Sequence, residues 1–409
     1  MSDIETLASP GDDVRKRLSL LFEGMMRSLF KEKGAQFRVE LVADPAVQEF
    51  VGAHASALDS AFENVKMTDT MRRRLTRSNY IFSGMKAFHE LHEAFPSLLD
   101  ENGNRKPFER FLNDVRNIDA NYNANYLRAE YNFVSASAEM AGRWEQFMRD
   151  GDRYNLQYRT QRDDKVRPEH AALDRVTLPP SDSFWEEFYP PNGWNCRCTV
   201  VQVRKSKYPA TSHEEAMRLG DEAMQRDTKG IFRFNAGREG KSVPDYNPYT
   251  IRRCSTCPVA KDGKGQLVFV PDNEVCAACK IIRALAKADA KQTRQEAKIL
   301  QGTTITVADF LHPIKITRDS IKEWTNQPHK HFRAKNMMLL NINKVLAQAR
   351  YLGTADNHKG IPRVVQSHLF EVELCGEKSL VIIREYDWGD FVLHSISDSE
   401  SLYNHIKKK

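Results

Sequence analysis

The chain has 409 residues, of which 41% are hydrophobic, and its 61 lysines and arginines outweigh 55 acidic residues to give a net charge of +6. That length calls for two or three separate cores, and the composition excludes collagenous, disulfide-scaffold and wholly disordered classes. The charge is too mild to demand a nucleic-acid partner, but it suits one if the basic residues cluster.

The first third reads as helix. Val14, Leu18, Leu21, Phe22, Met25 and Leu29 recur at steps of three and four, which puts them on one helical face behind a cap at Asp12 or Asp13. Asp100-Glu101-Asn102-Gly103-Asn104 marks a turn, and a longer periodic stretch follows through Leu127, Tyr131, Val134, Ala138, Ala141, Trp144 and Met148. His89 and His92 share a helical turn in the order His-Glu-Leu-His, which is not the zincin spacing; an amphipathic core helix accounts for them better. The acidic start Met1-Ser2-Asp3-Ile4-Glu5 lacks a signal-peptide core, and no apolar run approaches the roughly 18 residues of a membrane span, so no membrane association is expected.

From Arg153 the pattern changes to strand signals at Tyr154–Thr160 and Thr199–Val203, separated by turns at Pro179-Pro180, Pro190-Pro191 and Asn192-Gly193. Residues 206–253 are polar and read as a connecting region. Lys280, Arg283, Lys287, Lys291, Arg294 and Lys298 then decorate a helix suited either to phosphates or to solvent. Beyond residue 301 a short strand at Ile314–Ile316 is followed by a helix capped at Asp319 or Ser320 and a second helix through Leu339, Ile342, Leu346 and Ala349. Three strands close the chain, at Phe370–Leu374, Leu380–Arg384 and Phe391–Ile396, giving a compact α+β domain with an antiparallel meander.

Six of the seven cysteines form close pairs, Cys196/Cys198, Cys254/Cys257 and Cys276/Cys279. Without a secretion signal, such pairs point to metal ligation or reduced thiols in a reducing compartment. Cys254 and Cys257 followed by Cys276 and Cys279 have the spacing of a structural zinc ribbon, in which two turns close a tetrahedron around Zn²⁺; thiol redox chemistry is the alternative. His170, Cys196 and Cys198 offer a second set of soft donors for zinc, with Asp182 as a further candidate, although a Cys-x-Cys strand can equally bury small thiols in a core. Arg167, Asp163 and Asp182 are candidates for an ion-pair network, and Phe184, Trp185 and Trp194 for a small aromatic core. Cys375 stands alone in a turn.

Seven of the twelve histidines lie after residue 310. Histidine titrates near neutrality, so this enrichment suits acid–base chemistry.

The segment running from Tyr158-Arg159-Thr160 through Arg167-Pro168-Glu169-His170, Pro179-Pro180, Phe184-Trp185 and Tyr189-Pro190-Pro191-Asn192-Gly193-Trp194-Asn195-Cys196-Arg197-Cys198 resembles the phage Mu F-like head morphogenesis (minor head protein) family. The resemblance covers residues 60–205 with the preceding helices. It implies a virion protein near the portal, acting in head assembly in the host bacterial cytoplasm, with portal and capsid proteins and phage DNA as partners. The region 303–407, with Trp324–Phe332, His368–Val372 and His394–Asp398, resembles phage-associated barnase–EndoU–colicin–RelE-like nucleases. That resemblance implies a metal-independent endoribonuclease with an RNA substrate and an immunity protein. Its candidate residues are His368 and His394 as base and acid, Arg384 at the phosphate, and His331 and Ser397 as positioning groups.

The expected organisation is therefore α+β and multidomain: a helical region with the Mu F-like domain over 1–205, the connector over 206–253, the ribbon and basic helix over 254–300, and the α+β domain over 301–409. Two functions stay open. One is a minor head protein that delivers a C-terminal RNase, and the other is a structural protein whose C-terminal domain binds DNA or portal without catalysis. ADP-ribose transfer lacks its pattern, since Glu371-x-Glu373 stands alone.

Overall fold

A computed structural model describes residues 11–32, 37–250, 272–327, 329, 332–357, 360–374 and 377–406. The chain divides into two compact units, Met1–Arg283 and Ala284–Lys409.

In the first unit, α1 (Asp12–Lys31) buries Leu18, Phe22, Met25 and Leu29 along the expected stripe. Its cap position is Gly11; Asp12 and Asp13 lie in the first turn, where they favour the helix dipole instead of capping it. Asp44 caps α2 (Pro45–Asp59) by accepting the Ala46 N–H, and Thr68 caps α3 (Asp69–Ala94) by accepting the Met71 N–H. The 100–104 turn is held by Asp100, which accepts the N–H groups of Asn102 and Asn104. Short helices α4 (Phe108–Asp114) and α5 (Arg116–Asp119) and a π-helical turn over Ala120–Asn125 lead into α6 (Leu127–Asp150).

Helix α6 serves two cores. Its first half packs Phe133, Val134 and Ala138 against Leu58, Phe62, Phe82 and Phe88. Its second half packs Met140, Trp144 and Phe147 against Tyr158, Trp185 and Tyr189. The second core covers a small antiparallel sheet of order β2-β1-β3, built from β1 (Asn155–Arg159), β2 (Thr177–Leu178) and β3 (Thr199–Val203). Leu156 stands opposite Leu178 and Gln202, and Tyr158 opposite Val200. Between the strands lie α7 (Pro168–Ala171) and α8 (Phe184–Glu187).

The 206–250 segment is not a peripheral connector. It forms α9 (His213–Ala223) and α10 (Ala236–Glu239), sends Ala216 and Met224 into the second core, and sends Phe234, Val243 and Tyr249 into the first. Ala216, Gly220 and Ala223 keep helical spacing in α9 but are small residues in a charged stretch, and Phe234, Val243 and Tyr249 stand singly, so none is conspicuous in the sequence.

A buried polar network crosses the helical core. Lys86 Nζ donates to Glu130 Oε2 at 2.9 Å and to the Tyr122 carbonyl at 2.6 Å; His54 bridges Glu130 at 3.1 Å and Ser83 at 2.8 Å, and the Tyr249 hydroxyl donates to Glu130 Oε1 at 2.5 Å. Burial would raise the Glu130 carboxyl, but Lys86, then His54 and Tyr249, hold it down at about 2. Burial and the Lys86 charge push His54 down to about 4, while burial pushes Glu90 up to about 8.

Helix α11 (Asp272–Glu296) carries Cys276 and Cys279; Cys254 and Cys257 lie outside the described residues. The second pair thus sits on a helix, one turn apart, and the Cys279 sulfur accepts from Arg283 Nε at 3.1 Å. Two of the basic residues that follow have structural partners: Arg283 pairs with Asp245 at 2.8 Å, and Arg294 donates to Thr325 at 2.6 Å.

The second unit holds a six-stranded sheet of order β4-β5-β9-β8-β7-β6, from β4 (Thr304–Val307), β5 (Phe310–Lys315), β6 (Arg350–Asp356), β7 (Val364–Leu374), β8 (Glu377–Tyr386) and β9 (Phe391–Ser397). The β7-β8-β9 meander is as expected, and the β5–β9 pair is parallel. Helix α12 (Arg318–Asn326) starts from a capping box between Thr317 and Ser320, not from Asp319. The next helical stretch breaks at Asn341 into α13 (Phe332–Leu340) and α14 (Ile342–Gln348). Ile321, Trp324, Leu339 and Leu346 from these helices pack on Ile314, Phe370, Val381 and Leu393 of the sheet. Among the described residues, no helix is long and apolar enough to cross a membrane.

Candidate metal centre

Three elements bring His170, Cys196 and Cys198 together. Pro168 starts α7 and sets His170 one turn in, while the Gly193–Asn195 turn delivers both cysteines to the edge of β3. Gly193 has φ +155°, and a Cβ there would lie 2.9 Å from Arg167 Nη1, so the guanidinium packs where a side chain would stand. Arg167 Nη2 then donates to the Trp194 carbonyl at 2.6 Å and locks the turn.

The Cys196 and Cys198 sulfurs lie 3.8 Å and 3.9 Å from His170 Nδ1, and all three donor atoms fall within 4.8 Å of one another. A tetrahedral Zn²⁺ bonded at about 2.3 Å to sulfur and 2.0–2.1 Å to nitrogen sets a sulfur–nitrogen edge of roughly 3.6 Å. The three side chains therefore fit a metal ion with little movement, and all are buried. A hydrogen bond from Cys198, reinforced by His170, draws the Cys196 thiol well below its ordinary value against the cost of burial; the same bond, with burial, pushes Cys198 up.

Asp182 is not part of this cluster. It accepts the Phe184 N–H at 2.8 Å and pairs with His213 at 3.0 Å. Nor do Arg167, Asp163 and Asp182 form one network: Asp163 takes both bonds of a bidentate pair with Arg197, each 2.7 Å, and Arg167 serves the Trp194 carbonyl. Phe184 and Trp185 do build the aromatic core, whereas Trp194 meets Phe133 at a tilt and Phe232 edge-on.

The three donors line a cleft of about 640 Å³ whose cations are Arg128, Lys165, Arg167 and Arg197, with no carboxylate among the described residues that line it. Sequence reading missed Arg128 and Lys165, because α6 and the 160–167 loop converge only in three dimensions.

In the second unit, His368 is buried between Tyr351, whose hydroxyl meets Nδ1 at 2.9 Å, and Glu385, whose carboxylate meets Nε2 at 3.0 Å. Phe310 and Phe391 flank its ring at 5.0 Å and 5.3 Å, and His312 stacks on Phe391 at 4.1 Å. His368 stands opposite Ile383, so Arg384, one residue on and opposite Ser367, projects from the other face of the sheet. Ser397 stands opposite Leu380, on that same other face. His394 falls at a bulge between the Ile382 and Ile383 pairings, and His331 lies outside the described residues. The structure therefore does not gather His368, Arg384 and Ser397 on one surface; the groups it joins to His368 are Tyr351 and Glu385, which alternation alone could not single out.

Residues 101–201 match the family described as Phage Mu protein F like protein, and residues 286–393 match Large polyvalent protein-associated domain 3. Protein F of Escherichia phage Mu, named for a proposed role in capsid assembly, is 39% identical over 168 residues, covering 37% of this chain and 36% of its own length. The Mu-like prophage FluMu F protein of Haemophilus influenzae is 29% identical over 137 residues, covering 32% of this chain and 30% of its own length. The chain thus spans about a third of the length of the curated relatives it matches. No solved structure matches significantly. The segment that folds around His170, Cys196 and Cys198 is therefore similar to the phage Mu protein F family, and the C-terminal unit is similar to Large polyvalent protein-associated domain 3.

Proposed function

We propose that this chain is a head-morphogenesis protein of a Mu-like phage or prophage, carried in the virion beside the portal and assembled with capsid proteins in the host cytoplasm. The observation that carries this reading is the match of residues 101–201 to the Mu F family over the segment that supplies the His170/Cys196/Cys198 centre. We assign that centre a structural Zn²⁺, which ties α7 to the edge of β3 and fixes the loop-rich part of the domain. The test is inactivation of the gene in its phage, followed by electron microscopy and mass spectrometry of particles. Loss of filled heads, and recovery of the chain from wild-type virions, would bear the proposal out; normal heads without it would refute it.

For the C-terminal unit the non-catalytic reading is the better supported. Both ring nitrogens of His368 are engaged, and Arg384 and Ser397 lie across the sheet from it. In this reading the unit binds DNA or portal. The competing RNase reading would use His368 with Tyr351 and Glu385, and would bring an immunity protein as partner. It is tested by incubating the full chain and a His368→Ala variant with several RNAs; cleavage by the first and not the second would reverse the preference. A Cys₄ zinc ribbon remains a proposal for Cys254, Cys257, Cys276 and Cys279.

A further inference from the structure

The cleft above the metal centre is chemically one-sided. Arg128 comes from the start of α6, Lys165 and Arg167 from the loop before α7, and Arg197 from between the two cysteines. Asp163 neutralises Arg197 through the bidentate pair but does not itself line the cleft. Arg128, Lys165 and Arg167 remain as an excess of positive charge facing a space that no carboxylate of the described residues lines. Arginine forks are suited to bidentate binding of phosphate oxygens.

The remaining polar lining is amide: Asn125, Asn132, Gln161 and Asn195. Asn132 is buried, donates through Nδ2 to Asn195 Oδ1 at 3.0 Å, and leaves its own Oδ1 without a partner among the described residues. A buried acceptor without a donor costs free energy, so it marks a place where a ligand's N–H or O–H belongs. Inorganic phosphate can answer the cations and donate through its P–OH, but one small ion fills only part of the space that holds both the cations and Asn132. A ligand with a phosphate at one end and a sugar or base at the other satisfies both. The 640 Å³ volume falls in the range of small-molecule pockets, roughly 300–1,000 Å³.

We propose that this cleft binds a phosphorylated ligand of nucleoside monophosphate size. Arg128, Lys165 and Arg167 hold the phosphate, and Asn132 accepts a hydrogen bond from the sugar or base. One part rests on the metal assignment above: His170, Cys196 and Cys198 would hold the ion with three donors, and a phosphate oxygen in the cleft would supply a further ligand.

The experiment uses the full chain, loaded with zinc or with Co²⁺, and titrates it calorimetrically with adenosine 5′-monophosphate and with inorganic phosphate. The metal content is measured first, so failure of the metal assignment is seen before any ligand is added. Saturable binding of adenosine 5′-monophosphate is expected, tighter than inorganic phosphate by tenfold or more. An Arg128→Glu/Lys165→Glu double variant should lose at least tenfold in affinity while keeping its metal, since neither side chain touches the donors. Asn132→Leu should bring the two ligands to similar affinity. In the Co²⁺ protein the visible absorption of the metal should change as ligand saturates. Metal-loaded protein that binds neither ligand, or binding that the double variant leaves intact, would overturn the proposal; an unchanged cobalt spectrum on saturation would overturn its coordination part.

Discussion

Lys86 and Glu130 are both almost wholly buried, and each is held in place by the other. Removing one partner of such a pair strands the remaining charge, so Lys86→Met should cost about 3–5 kcal/mol in urea unfolding. Burial raises the folded-state pKa of Glu90 from 4.5 to about 8, so the native state keeps a proton that the unfolded chain releases. Its contribution to stability is full below about pH 4.5 and is lost as pH rises through 8. His54 works the other way: its folded pKa is lowered from 6.5 to about 4, so it contributes above 6.5 and its contribution is lost as pH falls through 4. Of these two opposing groups, only Glu90 acts between about pH 6.5 and 8. Glu90→Gln should therefore gain stability relative to wild type across that window, by up to about 1.4 kcal/mol per pH unit. Parallel denaturation curves at pH 6.5 and 8 check this; an equal difference at both pH values would show that Glu90 does not titrate there. At the candidate metal centre, Gly193→Ala drives a Cβ against the Arg167 guanidinium. A loss of metal affinity of about tenfold is expected, comparable to losing an outer-shell support, read by competition with a chelator.

At the scale of elements, what was legible followed largely from periodicity. The stripe of α1, the long α6 and the β7-β8-β9 meander carry a period of 3.6 or 2, whereas β1 and β3 do not alternate cleanly and were legible from the flanking turns and, in β3, from β-branched residues. Other elements carry none. Strand β6 was hidden inside a helical pattern because Tyr351, Leu352 and Gly353 continue the apolar run of α14 without a breaker before them. The 206–250 segment looked polar because its anchors are isolated aromatic and small residues. The His/Cys/Cys cluster was legible from ligand types alone, whereas the cationic cleft over it needed the fold. The capping box of α12 offers a local test: Thr317→Ala removes the acceptor of the Ser320 N–H. It should cost about 1 kcal/mol, within the usual range of cap deletions, in the thermal unfolding of the second unit; no change would mean the packing of Ile321 and Trp324 alone fixes the helix start.

For the whole molecule, the two units have separate cores, one set around α6 and the other between the 318–348 helices and the six-stranded sheet. The match to the Mu F family lies in the first unit, and the match to the large polyvalent protein-associated domain lies wholly in the second. The opening estimate of two or three cores from length thus corresponds to two folding units, the first of which holds more than one hydrophobic cluster. Calorimetric unfolding should accordingly show two transitions, with Trp324→Ala shifting only one of them; a single transition shifted as a whole would contradict the division. The central claim is that His170, Cys196 and Cys198 hold a metal ion at the heart of the Mu F-like segment. It is tested most directly by elemental analysis of purified wild-type protein beside a Cys196→Ser/Cys198→Ser variant. The account predicts that the variant holds about one zinc ion per chain fewer than wild type, while equal metal content in the two proteins would contradict it.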